Sequence, residues 1–217
     1  MEPQTIFRVK WDLGAVELFH NRRSVRAYLP GREIPVETLR ELFGLVALSP
    51  SSYNLQPWEF VVVKGGEGKE RLFSCSKGNS HILSSSATVI VLGKLDPSGD
   101  AKIIFDDRVA KGQKTESDRP AYEKAIARIS SSNENARLWA TRSTSLAAMT
   151  LMYAATALGL ATCPIEGFNE ECVREKFGIP ANREIVMLVT LGYEDGSKAT
   201  TRGYRKPVEQ IVHFEKF

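Results

Sequence analysis

Apolar residues recur along the chain in patterns that predict different elements. Leu13, Val16 and Phe19 stand three apart behind Asp12, which suits a capped helix ending near Asn21. Pro35 opens a second helix that carries Val36, Leu39, Leu42, Phe43 and Val46 on one face. Trp58, Phe60 and Val62 then alternate with polar or smaller residues, the period of a strand running to Lys64. Gly65, Gly66 and Gly68 predict a turn, because no phosphate-loop or dinucleotide glycine pattern follows them. A short helix to Lys77 and an apolar strand from Ala87 to Gly93 come next. From Ser143 to Ile165 no residue is charged, which is the length of a membrane span. Thr150, Thr156, Gly159, Thr162 and Pro164 dilute that stretch below what insertion requires, so it predicts a central helix, buried in the core or in a dimer interface and ending at Gly159. Asn169 caps a further helix with Glu170 and Glu171 in its first turn, and Gly178 with Pro180 stops it. Ile185 to Gly192 is nearly continuous in apolar residues, the mark of a strand covered on both faces.

Composition narrows the picture. With 217 residues, 42% hydrophobic and 25% charged, the chain suits one domain, interrupted by a charge-alternating insertion at about 96–133. A net charge of +3 without a run of five basic residues gives no reason to expect nucleic acid as a partner. Cys75, Cys163 and Cys172 are an odd number without C-x-x-C spacing, so neither a disulfide framework nor a zinc site is indicated, and a reducing cytoplasm fits. The N-terminus has no apolar secretory region. His20, His81 and His213 accompany no nucleophile and no metal-ligand spacing, so no metal is expected.

Three segments hold candidate chemistry. In SPSSYNLQPWEFVVV, Pro50 and Pro57 forbid helix, so Ser51 to Gln56 form an exposed loop. Ser51, Ser52, Asn54 and Gln56 offer uncharged donors and acceptors suited to a flat polar ligand; a capped surface turn ahead of a core strand is the plainer alternative. In NRRSVRAYLP, Arg22, Arg23, Ser24 and Arg26 could clamp a phosphate, or form a solvated basic turn that complements a helix C-terminus. In LATCPIEGF, Pro164 and Gly167 keep the chain irregular and leave backbone N–H groups for a ligand, while Cys163 reads as a small buried residue.

These segments, in this order, resemble the FMN-dependent nitroreductase family: the Arg22–Arg26 cluster, Ser49–Val63, Cys163–Phe168 and Arg205–Pro207. The resemblance implies an α+β, three-layer fold with a mixed, mainly antiparallel sheet flanked by helices, and a C-terminal arm extending onto a partner subunit. It implies FMN as cofactor and NAD(P)H as co-substrate in a cytoplasmic homodimer, with no membrane partner. By the same resemblance Arg22 and Ser24 would hold the phosphate or ribityl chain, Arg26 would face the pyrimidine edge, and Arg23 would also be among the cofactor-binding residues. Pro50, Ser51, Ser52, Asn54, Gln56 and Asn79 would contact the cofactor, as would Pro164, Ile165 and Arg205, with backbone N–H groups of Glu166 and Gly167 directed at flavin N5. The partner expected three residues after Asn79 is Ile82, and Gly203 stands where many relatives have a second basic residue, which leaves Arg202 as a substitute. Phe105 and Tyr122 in the insertion are candidate pocket aromatics; a charge-rich solvated helix pair is the plainer reading of that region. The activity implied is ping-pong reduction of a small electron-poor acceptor, a nitroaromatic or quinone. Reductive dehalogenation, flavin fragmentation and a non-catalytic flavin-binding module are the alternatives.

Overall fold

The structure is a computed structural model and describes residues 14–198 and 201–217. Asp12 and Leu13, the expected cap and first apolar position of the first helix, lie outside the described residues. The helices are α1 (Ala15–Asn21), α2 (Val36–Val46), α3 (Gly66–Ser74), α4 (His81–Ser84), α5 (Ser98–Ala110), α6 (Arg119–Ile129), α7 (Asn133–Ala157) and α8 (Glu170–Phe177). The strands are β1 (Trp58–Val63), β2 (Ala87–Lys94), β3 (Ala161–Ile165) and β4 (Arg183–Gly192).

β2 and β4 are the inner strands of a four-stranded sheet ordered β1-β2-β4-β3, and every pair among the named strands is antiparallel. Their side chains alternate between two cores. Ala87, Val89, Val91, Val189 and Leu191 face α2 and α7, whereas Ile90, Leu92, Ile185 and Leu188 face α3 and α8. Val186 is passed over where Val91 pairs Met187 and Leu92 pairs Ile185, and this bulge turns Val186 and Met187 to the same face. The result is the three-layer α+β arrangement that the resemblance implied. Its parallel component is an isolated bridge between Ser24 and Thr162.

The uncharged stretch supplies the second half of α7, a 25-residue helix, and then runs through Gly159 into β3. Ser132 caps it by accepting the Asn135 N–H at 3.1 Å. Ala147, Ala148, Leu151 and Ala155 are fully buried, and their small size lets the helix lie close on the sheet. Gly93 marks the closest approach, since a Cβ there would stand 2.9 Å from Thr144 Oγ1 and 3.1 Å from the Ala140 Cβ. Among the described residues no helix is long and apolar enough to cross a membrane.

Two expectations are corrected. The glycines after β1 are not a separate turn but the start of α3, where Gly68 is needed because a Cβ would meet Val63 Cγ1 at 2.9 Å. α1 ends at Asn21, as its spacing suggests, and leaves Val16 69% and Phe19 62% exposed, with the Phe19 ring 4.7 Å from that of Tyr153. Cys75 and Cys172 are disulfide-bonded, so the reading that excluded such a bond fails. They lie 97 residues apart, and only the packing of α3 against α8 brings them together. Cys163 is free and buried, as expected.

Candidate functional site

The basic segment after α1 is fixed to the sheet by backbone and side-chain bonds. Val25 N–H donates to the Thr162 carbonyl at 2.9 Å and Leu29 N–H to the Tyr193 carbonyl at 2.8 Å, so Arg22 to Tyr28 extends the sheet beside β3. Tyr28 anchors the segment, 3% exposed, with its hydroxyl 2.7 Å from Thr190 Oγ1. Burial holds that hydroxyl's pKa far above its ordinary value. The ring lies over Gly192, where a Cβ would come within 2.8 Å of Tyr28 Cδ1.

The arginines of this segment have different tasks. Arg23 pairs with Glu194 at 3.1 Å. Arg22 and Arg26 have no ion pair among the described residues. Both are near enough to Cys163 to oppose the upward shift that burial gives its thiol, and Arg26 adds to the downward shift that burial gives His81. Two cations that form no ion pair among the described residues therefore lie close enough to β3 to act on Cys163. Thr162 Oγ1 and His81 Nε2, in the same neighbourhood, are buried without a hydrogen-bond partner among the described residues.

The third wall is the chain leaving β3. Pro164 and Ile165 belong to the strand, which corrects the expectation that Pro164 makes this stretch irregular; on an edge strand its missing N–H costs no ladder bond. Irregular backbone begins at Glu166. Among the described residues neither the Glu166 nor the Gly167 N–H serves as a hydrogen-bond donor, while the Gly167 carbonyl accepts from Asn79 Nδ2 at 3.0 Å. Asn79 thus clasps the 166–167 turn, and its amide also donates to the Ser76 carbonyl.

Two predicted groups are not brought to this place within one chain. The Ser51–Gln56 loop is exposed as expected, with a 3₁₀ turn over Ser52–Asn54 and Leu55 buried as its anchor. Tyr53, Asn54 and Gln56 have φ of 56°, 61° and 46°, a left-handed backbone that costs on the order of 1 kcal/mol or more per non-glycine residue. Ser51 Oγ accepts the Gln56 N–H at 2.9 Å and holds the loop closed. No hydrogen bond or ion pair among the described residues joins residues 50–56 to the Arg22–Arg26 segment or to 164–167. Its neighbour is instead the insertion, where Tyr53 meets Tyr122 with ring centroids 6.0 Å apart. Tyr122 meets Phe105 at 4.9 Å, and both line a cleft of about 710 Å³ between α5 and α6. The rim of that helix pair is charge-rich: Arg119 lies over the Phe105 ring and bonds Glu116 and Asp106, each at 2.7 Å.

Arg205 also stays away, its guanidinium bonding the Gly203 and Tyr204 carbonyls nearby. Arg202 is the tail residue that reaches the cluster. Its Nη2 donates to the carbonyls of Phe19, His20 and Arg22 at 3.2, 2.6 and 3.0 Å, completing the C-terminus of α1. Arg202 therefore holds the backbone that leads into the Arg22 segment.

The chain is similar to known proteins over most of its length. The Nitroreductase family model matches residues 20–193, from the end of α1 to just past β4. The Bacillus subtilis protein MhqN, which carries the name of an NAD(P)H nitroreductase, is 36% identical over 199 residues, covering 91% of this chain and 97% of its own length. YodC of the same organism, similarly named, is 34% identical over 196 residues, with 90% and 96% covered. A crystal structure from Exiguobacterium sibiricum, described as a nitroreductase in complex with FMN, superposes with a TM-score of 0.83 at 28% identity over 94% of this chain and 98% of that one. With the family model covering most of its length, this chain belongs to the nitroreductase family.

Proposed function

We propose that the protein is an FMN-dependent oxidoreductase that draws on NAD(P)H to reduce a small electron-poor acceptor such as a nitroaromatic or quinone. One observation carries the reading: Arg22 and Arg26, without an ion pair among the described residues, both act on the Cys163 thiol of β3, and three residues further along the chain Glu166 and Gly167 leave their backbone N–H groups unused. That donor set fits a flavin mononucleotide, whose phosphate needs cations and whose ring edge needs uncharged donors. Bound there, the flavin would supply the two-electron chemistry for a ping-pong exchange. Arg22 and Ser24 bind the phosphate end. Arg26 lies toward the pyrimidine edge, where a cation favours the negative charge that reduction brings. Asn79 holds the 166–167 turn so that its N–H groups point outward.

In this reading the Ser51–Gln56 loop completes the site of a second copy, which accounts for its distance from Arg22 in its own chain. The E. sibiricum relative, crystallised with FMN, supports the cofactor. Phe105 and Tyr122, on the insertion next to that loop, then line the acceptor side.

Anaerobic titration of the flavin-loaded protein with NADH or NADPH tests the reading. Bleaching of the flavin absorbance, followed by its return on adding a quinone, is expected. A yellow protein that NAD(P)H does not bleach would instead be a flavin-binding module. Turnover of halogenated acceptors alone would place it with reductive dehalogenases.

A further inference from the structure

The disulfide lies behind the candidate site. Cys75 is the C-cap of α3 and 2% exposed; Cys172, on the first turns of α8, is half-buried; their Cα atoms are 5.6 Å apart. The two chains leaving this bond lead directly to the site. Cys75 is followed by Ser76 to Asn79, and Cys172 is preceded by Glu166 to Asn169. Three hydrogen bonds repeat the connection: Asn169 N–H to the Cys75 carbonyl at 2.7 Å, Cys172 N–H to Asn169 Oδ1 at 2.9 Å, and Asn79 Nδ2 to the Gly167 carbonyl at 3.0 Å. The covalent bond and the Asn79–Gly167 bond therefore close the two ends of one small ring, and the unused N–H groups of Glu166 and Gly167 lie on its rim.

We propose that Cys75 and Cys172 form a reversible dithiol–disulfide site whose oxidation clamps the 166–167 turn against Asn79 and whose reduction loosens it. The redox chemistry of the pair stands on the geometry alone; its effect on flavin binding rests on the function proposed above. The exchange partner is a dithiol or, in reverse, a small disulfide. A thiolate of the dithiol attacks Cys172 Sγ, the more exposed side of the bond, and Cys75 leaves as a thiolate that takes up a proton. The second thiol of the reagent resolves the mixed disulfide and frees Cys172 as a thiol. Two electrons and two protons pass to the protein, and the reagent becomes its own disulfide.

Reduction leaves the fold in place, because the seam between α3 and α8 has other contacts. Leu72, Val173 and Ile179 pack across it, and Lys176 Nζ donates to Ser74 Oγ at 2.6 Å. What changes is the freedom of the turn. A ligand that needs two fixed N–H groups binds more weakly when the turn must be ordered on binding.

The test compares the full-length protein oxidised with glutathione disulfide, the same protein reduced with dithiothreitol and freed of it, and Cys172→Ser. Alkylation after denaturation, read by mass, should label Cys163 alone in the oxidised sample and all three cysteines in the reduced one. Amide deuterium exchange at residues 166–169 should be faster in the reduced protein and in Cys172→Ser. FMN affinity, read by quenching of flavin fluorescence, should be about tenfold weaker in both. Failure of the folded protein to form the bond, or equal exchange in both states, would overturn the clamp. Equal FMN affinity despite unequal exchange would overturn its control of the cofactor. FMN binding to neither form would remove the flavin reading, and the exchange comparison would still decide the clamp.

Discussion

At the scale of single residues the arginines separate by what already neutralises them. If the proposed cofactor site is right, Arg22→Ala is expected to release FMN on purification, because it removes a cation that no ion pair occupies among the described residues; full flavin occupancy in that variant would defeat the assignment. Arg26→Ala should keep the flavin but lower its midpoint potential and slow bleaching by NAD(P)H, and an unchanged potential in a spectroelectrochemical titration would count against the role. His81 gives a pH-dependent prediction. It is 6% exposed, and burial, aided by the nearby Arg26, lowers its pKa below the ordinary 6.5. The unfolded chain therefore binds a proton near pH 6 that the folded chain resists. Stability is present above pH 6.5 and falls as the pH drops below it, until the folded-state pKa is passed. Urea midpoints of wild type and His81→Gln at pH 7 and pH 5 should converge at the lower pH if this is right. The motifs single out Arg22, Ser24, Arg26, Asn79 and Gly167 as candidates, and the structure bonds the Asn79 amide to the Gly167 carbonyl. The task of Arg202 was not legible in the sequence, because a donor to the end of α1 from residues 180 and more positions away leaves no local signal.

At the scale of elements, hydrophobic period located the second helix, the end of the central helix and the strands β1, β2 and β4 to within a few residues. It failed where tertiary contact decided the outcome. Pro164 looks like a breaker until the strand order shows that β3 is an edge. The glycines after β1 look like a turn until Gly68 is seen to make room for Val63. The disulfide was invisible for the same reason: its spacing in sequence carries no signal, and the α3–α8 packing that creates it is non-local. The fit of α7 on the sheet gives a direct test. Gly93→Ala would drive a methyl group against Thr144 Oγ1 and the Ala140 Cβ, and neither α7 nor β2 can retreat without disturbing the fully buried residues between them. A loss of roughly 1–3 kcal/mol in denaturant unfolding is expected. A Gly93→Ala protein as stable as wild type would show that the helix can shift.

At the scale of the molecule the single chain leaves apolar surface that its own core does not use. Val16 and Phe19 on α1, Leu138 and Leu146 on α7, and Val208, Ile211, Phe214 and Phe217 of the tail are all more than two-fifths exposed. One edge of the sheet is also open: Trp58, Phe60 and Val62 of β1 line an apolar groove of about 340 Å³ with Phe43 and Ala47 of α2. The ten residues from Glu194 to Gly203 are tied down toward both ends. Asp195 N–H is bonded to the Ala27 carbonyl, Glu194 to Arg23, and Arg202 to the end of α1. The free arm therefore departs beside Arg22, and the residues from Gly203 to Pro207 extend it by at most roughly 17 Å before its apolar part begins. An arm anchored at the cation cluster and ending in exposed Phe214 and Phe217 is suited to cover a second copy while holding its own Arg22 segment in place. Deleting Val208 to Phe217 should consequently weaken dimerisation and FMN retention together, because one interface would bring the Ser51–Gln56 loop of each copy to the other's cations. Sedimentation velocity paired with flavin absorbance on the truncated protein decides the matter. Monomer that keeps its FMN would refute a site built from two chains, whereas loss of dimer and flavin in parallel is the outcome expected from it.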